Sequence, residues 1–220
     1  MNTMVRPFSL VAAACIALGA CQLPGGGEPP ELFTLTPKSS FSPDLPRVDW
    51  QLIVETPVAA ASLNTGRIAL QRSPVRLEYY AQSSWTDVAP LMVQTLLIES
   101  FENTGKIVAV GRESAGLRAD YVLKTELREF QAEYDGAGPP EARVRLNAKL
   151  VRMPDRTIIA SHTAEHRTRA ADSQLESVAM AFDDALGQVM REIVEWTLRA
   201  PSRTPSGEAT RGARPAPPRR

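Results

Sequence analysis

The period of the apolar positions changes repeatedly along this chain, and each change marks an element. Leu32-Phe33-Thr34-Leu35 reads as a short β-prone run closed by Pro37, and a polar, turn-rich loop through Pro43 and Pro46 follows. Trp50 to Val58 and Arg67 to Leu70 are apolar-rich strand candidates, with Pro57, Asn64 and Gly66 marking the connection between them. Val75 to Ala81 then alternates at period two until Gln82-Ser83-Ser84 interrupts it. From Trp85 the spacing lengthens. Val88, Leu91, Met92, Thr95, Leu96, Ile98 and Phe101 put most of their side chains on one face of a helix predicted over 86–103. Ser84, Thr86 and Asp87 supply N-terminal capping chemistry, Pro90 lies close enough to that end to be tolerated, and Gly105 offers the stop.

Period two returns with Ile107 to Val110, then a turn around Gly111 to Gly116, then a long strand from Tyr121 to Tyr134. In that strand Leu123, Thr125 and Leu127 share one parity while Phe130 and Tyr134 have the other, which implies a bulge or bend near Glu129. Asp135 to Pro140 form the clearest turn of the chain. After it Val144, Leu146, Ala148 and Leu150 alternate with Arg143, Arg145, Asn147 and Lys149, so the hairpin arm has one dry and one wet face. Met153 to Asp155 turn the chain again, and Thr157 to Thr168 makes a more polar final strand. Ser173-Gln174-Leu175-Glu176 has the form of a capping box. Leu175, Val178, Phe182, Ala185, Leu186, Val189 and Ile193 then line one side of a helix over 174–199, a stripe better suited to core packing than to a partner helix. The fold class expected is α+β, a mainly antiparallel sheet with two amphipathic helices packed on it.

The opening of the chain belongs to a different regime. Arg6 precedes an apolar run from Phe8 to Ala17, too short to span a bilayer permanently and typical of a secretory signal segment. Leu18-Gly19-Ala20-Cys21 resembles the lipobox of bacterial lipoproteins. That resemblance implies that the Cys21 thiol is diacylated, that cleavage precedes it, and that the new amino group is acylated too. Each buried acyl methylene contributes about 0.8 kcal/mol, so two or three chains hold stably where one does not. Gln22 stands where an Asp would favour retention at the inner membrane, which points to the periplasmic face of the outer membrane. The expected organisation is a signal peptide over 1–20, a Gly- and Pro-rich flexible tether over 21–31, a folded domain over 32–200 and a disordered Pro/Arg-rich tail over 201–220. At about 3.5 Å per extended residue the tether keeps the domain within a few tens of ångströms of the membrane.

Charge and chemistry narrow the function further. The chain carries 25 basic and 25 acidic residues, which argues against general nucleic-acid binding, and the imbalance is local: the tail has five Arg against one Glu. The only cysteines are Cys15, inside the leader, and Cys21, so a lipidated mature chain has no free thiol, disulfide or thiolate metal site. There is no Gly-x-Ser-x-Gly elbow, no His-Glu-x-x-His and no Gly-x-x-x-x-Gly-Lys-Ser/Thr loop. His162 and His166 would share a face of either a helix or a strand, and the neighbouring Thr157, Ile158 and Ile159 favour a solvated strand face over a metal pair. Asp183-Asp184 falls on the polar side of the last helix, away from paired-carboxylate catalysis. No catalytic residue, metal ligand or cofactor site is therefore expected. Tyr79, Tyr80 and Trp85 form an aromatic cluster that either anchors the strand–helix junction in the core or offers a partner-binding surface.

The strand and helix order together with the lipobox resembles the ABC-type transport auxiliary lipoproteins, the family that includes the paraquat-inducible lipoprotein C. Leu-Phe-Thr-Leu after the tether, Leu77-Glu78-Tyr79-Tyr80 leading into Trp85, the Ala119-Asp120-Tyr121-Val122-Leu123 strand and the C-terminal amphipathic helix carry the resemblance, over roughly Leu32 to Thr197. It implies a non-enzymatic component of an intermembrane lipid transport system. Its partners would be a mammalian-cell-entry-type periplasmic protein and that protein's ABC transporter, and the implied assembly leaves room for a homo-oligomer. Two other classes remain open: an outer-membrane accessory lipoprotein that activates or assembles another envelope machine, such as a cell-wall synthase, and a periplasmic enzyme. The short tether weighs against a synthase activator, which must reach through the wall layer.

Overall fold

The computed structural model describes residues 29–116, 118–136 and 138–200. The predicted leader, Cys21 with most of the tether, and the predicted tail lie outside the described residues. Nine strands form one mixed sheet: β1 (Glu31–Phe33), β2 (Gln51–Val54), β3 (Val58–Ala59), β4 (Arg67–Ser73), β5 (Arg76–Trp85), β6 (Ala109–Gly111), β7 (Tyr121–Glu133), β8 (Glu141–Arg152) and β9 (Thr157–Arg169). Two helices, α1 (Ala89–Thr104) and α2 (Leu175–Arg199), cover one of its faces. This is the α+β class that the periodicity predicts.

The sheet is hung on β7. One edge of that strand pairs antiparallel with β8, which pairs antiparallel with β9, so the two long hairpins follow the alternation read from the sequence. The β7–β8 register slips between Leu127 and Glu129, leaving Arg128 as the extra residue of the expected bulge. Leu123 and Leu127 before the slip, and Phe130 and Ala132 after it, are all buried, so the bulge keeps both halves of the strand facing the core. The other edge of β7 is shared by three short strands in parallel, β2 at its start, β3 in its middle and β4 at its end. The single strand expected over Trp50 to Val58 is thus two, broken around Pro57, which has no N–H to give a ladder. Gln94 of α1 mends the break: its Nε2 donates to the Val54 carbonyl at 2.9 Å, and its Oε1 accepts from the Thr56 hydroxyl at 3.1 Å.

β5 runs on through the predicted interruption to Trp85. Gln82 adopts a left-handed φ of 51°, the pairing with β4 shifts there, and Ser84 then pairs with both Arg67 and Leu32. Because the strand lasts longer, α1 begins at Ala89 and not at Thr86. Its N-cap is Val88 without a side-chain cap, and Asp87 Oδ1 accepts the Val88 N–H instead. The capping box expected at α2 is likewise not made: Gln174 is the N-cap without a side-chain bond, and its own N–H is taken by Asp172 Oδ1 at 2.8 Å.

Along α2 the residues Val178, Phe182, Ala185, Leu186, Val189 and Ile193 are at most 1% exposed, as the stripe requires. Each large apolar side chain so buried contributes about 1.5–3 kcal/mol. A strap over 35–48 crosses both helices. The Thr36 N–H donates to Asp183 at 2.6 Å, Lys38 N–H to Ser100 Oγ at 2.9 Å and Ser42 N–H to Glu195 at 2.8 Å, while Leu35, Leu45 and Val48 enter the core. The predicted stop of α1 is observed: Gly105 sits at φ 59°, its N–H bonded to the Glu102 carbonyl, with no atom within 4 Å of where a Cβ would stand. Only the backbone conformation resists a side chain there. Gly105→Ala is expected to destabilise by about 1 kcal/mol, read as a fall of roughly 2–4 °C in the melting midpoint.

Candidate interaction surface

Strand alternation that buries Val144, Leu146, Ala148 and Leu150 beneath the helices turns Arg143, Arg145, Asn147 and Lys149 to the other, helix-free face. Register extends this face across the sheet. Tyr79, Ala69, Gln131, Arg143 and Arg167 form one cross-strand row, Glu129, Arg145 and Glu165 another, and Glu133, Glu141 and Arg169 a third. Opposite charges therefore meet on neighbouring strands. Arg143 donates from Nη1 to Glu133 at 3.0 Å and from Nε to Glu165 at 2.8 Å, and lies 3.8 Å from Glu129. Arg167 donates to the second oxygen of Glu133 at 3.0 Å, and Arg145 stands 3.9 Å from Glu129 and 3.8 Å from Glu165. Gln131, 2% exposed, donates from Nε2 to Glu129 at 2.7 Å and to Glu133 at 3.1 Å.

Partial burial gives this lattice its character. The Arg143 side chain is only 20% exposed, and desolvation works against its charge, but its hydrogen bonds to Glu133 and Glu165 hold the guanidinium above its ordinary pKa. Desolvation likewise raises Glu165, but the hydrogen bond from Arg143 and the charges of Arg143, Arg167 and Arg145 together outweigh it, so that this carboxyl ends below its usual value. Single exposed ion pairs are worth little, yet a network pinned on a sheet holds a fixed pattern of charge that a complementary surface can recognise.

The aromatic cluster is dispersed. Trp85 is 3% exposed, with its ring 5.6 Å from Phe130 and 5.2 Å from Phe182, and so belongs to the core. Tyr79 and Tyr80, as neighbours on a strand, face opposite sides. Tyr79 joins the charged face beneath the Arg67 guanidinium, 3.8 Å from its ring centre, and donates its hydroxyl to the Ser62 carbonyl at 2.9 Å. Tyr80 shares a 2.8 Å hydroxyl contact with Tyr134, and burial followed by that bond pushes its phenol well up. Of the three, Tyr79 is the one placed on the helix-free face.

The histidines share a strand face as expected, but roughly 13 Å apart. His162 is not simply solvated: Nε2 lies 2.6 Å from Glu192 and the ring stacks 5.5 Å from Trp196, so it docks on α2. Asp183 and Asp184 diverge, the first to Thr36 of the strap and the second to the Thr168 hydroxyl at 2.8 Å. Among the described residues no group of three or more His, Cys, Asp or Glu is arranged to hold a metal ion, and no described helix is long and apolar enough to cross a membrane. Cys21 lies outside the described residues. Sequence reasoning saw the wet face of β8 but missed the lattice, whose acids come from β7, β8 and β9. The signal available was the alternate-position spacing of Glu129-Gln131-Glu133 against Arg143-Arg145 and Glu165-Arg167-Arg169.

The fold and this face define an α+β domain that presents a patterned sheet surface beside a helical layer. The chain belongs to the family of ABC-type transport auxiliary lipoprotein components, whose sequence model matches residues 33–194. This is the family that the sequence resemblance implies. An uncharacterised protein of Bradyrhizobium diazoefficiens is 30% identical over 190 residues, covering 84% of this chain and 50% of that protein, so the chain spans about half the length of this curated relative. A crystal structure of a Xanthomonas campestris protein of the DUF330 family matches with a TM-score of 0.74 at 34% identity, covering 78% of this chain and 96% of that one. A second crystal structure, of an uncharacterised protein, shares the fold at 13% identity, with a TM-score of 0.61 and coverage of 76% and 97%.

Proposed function

We propose that this chain is a non-enzymatic docking subunit, tied by acyl chains on Cys21 to the periplasmic face of the outer membrane, for a mammalian-cell-entry-type lipid transport system. The observation that carries the reading is the helix-free face, where Arg143, Arg145 and Arg167 are locked against Glu129, Glu133 and Glu165 in one patterned surface. Such a surface is built for recognition. Family membership supplies the ABC transport system, and the lipobox with its short tether supplies the anchor. The partner is the periplasmic end of the mammalian-cell-entry protein, met by several copies of this chain. Tyr79 at the border of the face is part of the contact, whereas Tyr80 and Trp85 support it from inside.

Two measurements test this. Photo-crosslinkers placed in cells at Tyr79, Lys149 and Thr163 should trap the mammalian-cell-entry subunit, while one at the buried Phe182 should not. Trapping a cell-wall synthase instead would replace the transport role with the accessory one. Palmitate labelling of the wild-type chain should vanish in Cys21→Ser, since only a thiol accepts the diacylglyceryl group in this way. Undiminished label would remove the lipid anchor from the proposal.

A further inference from the structure

The helix-free face changes character at one end. Beyond Lys124 and Lys149 the next row runs Ile53, Val122, Val151, Ile158, one apolar side chain from each of β2, β7, β8 and β9, each paired with the next just past a slip in the β8–β9 register. Ile158 is 56% exposed, against the usual withdrawal of such a side chain from water. Two sets of residues stand beside this row and turn it into a cleft of about 650 Å³: Glu113 with Arg118, Ala119 and Asp120, and the β8–β9 turn with Met153, Pro154 and Arg156. That volume lies within the range of small-molecule sites, which combine an apolar lining with a few polar groups.

The rim supplies those groups. Lys124 is committed to Glu55, with Nζ 2.7 Å from both carboxylate oxygens, and Asp120 accepts the Gln51 N–H at 2.8 Å. Arg118 and Arg156 make no ion pair with a described residue, and Glu113 is the one acid of the rim whose carboxylate has no described hydrogen-bond partner. Across the rim Arg118, Lys124 and Arg156 balance Glu55, Glu113 and Asp120 in formal charge, but the two guanidiniums stand without an ion pair to a described residue. An apolar floor with two guanidiniums at its mouth that are free of described ion pairs is complementary to one kind of small molecule.

We propose that this cleft binds a single-chain anionic amphiphile. Its alkyl tail lies along Ile53, Val122, Val151 and Ile158, and its carboxylate or phosphate monoester head is held by Arg118 and Arg156, whose planar forks match either group. The assignment stands on the cleft and not on the transport role, so each can fail without the other.

Diazirine-bearing palmitate, hexadecyl phosphate and hexadecanol, each photolysed with the purified full chain in a non-ionic detergent, test it. Peptide mass spectrometry locates the adducts and separates them from any acyl group on Cys21. Both anionic probes, or one of them, should label segments 113–122 and 151–158 at least tenfold above the alcohol, and the better probe identifies the head. Arg118→Ala with Arg156→Ala should erase that preference. Ile158→Glu, at an exposed position, should leave the melt unchanged and remove labelling by all three probes. Equal labelling by acid and alcohol, adducts scattered along the chain, labelling indifferent to Ile158→Glu, or protection of the cleft by a second copy as concentration rises would each overturn the proposal.

Discussion

Phe182→Asp is expected to abolish the cooperative thermal transition of the domain. Phe182 is fully buried, its ring 5.2 Å from Trp85 and 5.0 Å from Phe130, at the point where α2 meets β5 and β7. Truncating such a ring costs about 3–5 kcal/mol through lost transfer energy and the cavity left behind. An aspartate adds the desolvation of a charge with no cation among those neighbours, a further penalty of several kcal/mol unless the group takes up a proton. Whole-domain stabilities are roughly 5–15 kcal/mol, so the sum removes most or all of it. Circular dichroism should show no sharp melt, whereas Phe182→Leu, which keeps apolar volume, should retain one at a lower midpoint. An unchanged melt for the aspartate variant would mean that α2 does not pack on the sheet through this stripe.

That α2 would pack there was readable because a helix repeats its buried face locally, and seven apolar residues at helical spacing leave little choice. The β7–β8 hairpin was readable for the same reason, down to its bulge, since a parity change between Leu127 and Phe130 can be reconciled with one core in few ways. What the sequence did not disclose depends on pairing across distance. β2, β3 and β4 dock in parallel at three levels of β7, and no local pattern encodes which level each takes. The start of α1 and the cap of α2 missed for a related reason. Ser173 and Thr86 are good caps in isolation, but Asp172 and Asp87 reached the backbone first once the flanking strands had set the entry of the chain. Trp85 was ambiguous on its own chemistry, and its place between Phe130 and Phe182 was settled by residues 45 and 97 positions away. The charged lattice and the apolar cleft lie on one face because register aligned them.

Arg143→Leu isolates what the lattice contributes to the fold, and its pH dependence separates charge from packing. At pH 7 the substitution removes hydrogen bonds to Glu133 and Glu165 and leaves them, with Glu129, short of a shared cation. Hydrogen bonds to charged groups are worth about 1.5–3 kcal/mol, so a loss of that order is expected in urea melts. The guanidinium stays charged across all accessible pH, because its pKa is held above an already high ordinary value. The pH dependence therefore comes from the acids. Glu165 is held below its ordinary value, so the stability it contributes is fully present above its unfolded value of about 4.3 and is lost as pH falls through the lower folded value. Wild type and Arg143→Leu should differ most at neutral pH and converge as pH falls through the lowered folded value of Glu165, where that carboxyl takes up its proton and no longer needs the arginine. High salt should narrow the gap only in part, since a side chain 20% exposed is incompletely screened. A gap of the same size at pH 7 and pH 3.5 would assign the effect to the packing of the arginine stem, and the sheet face would then be patterned for a partner without being held together by that pattern.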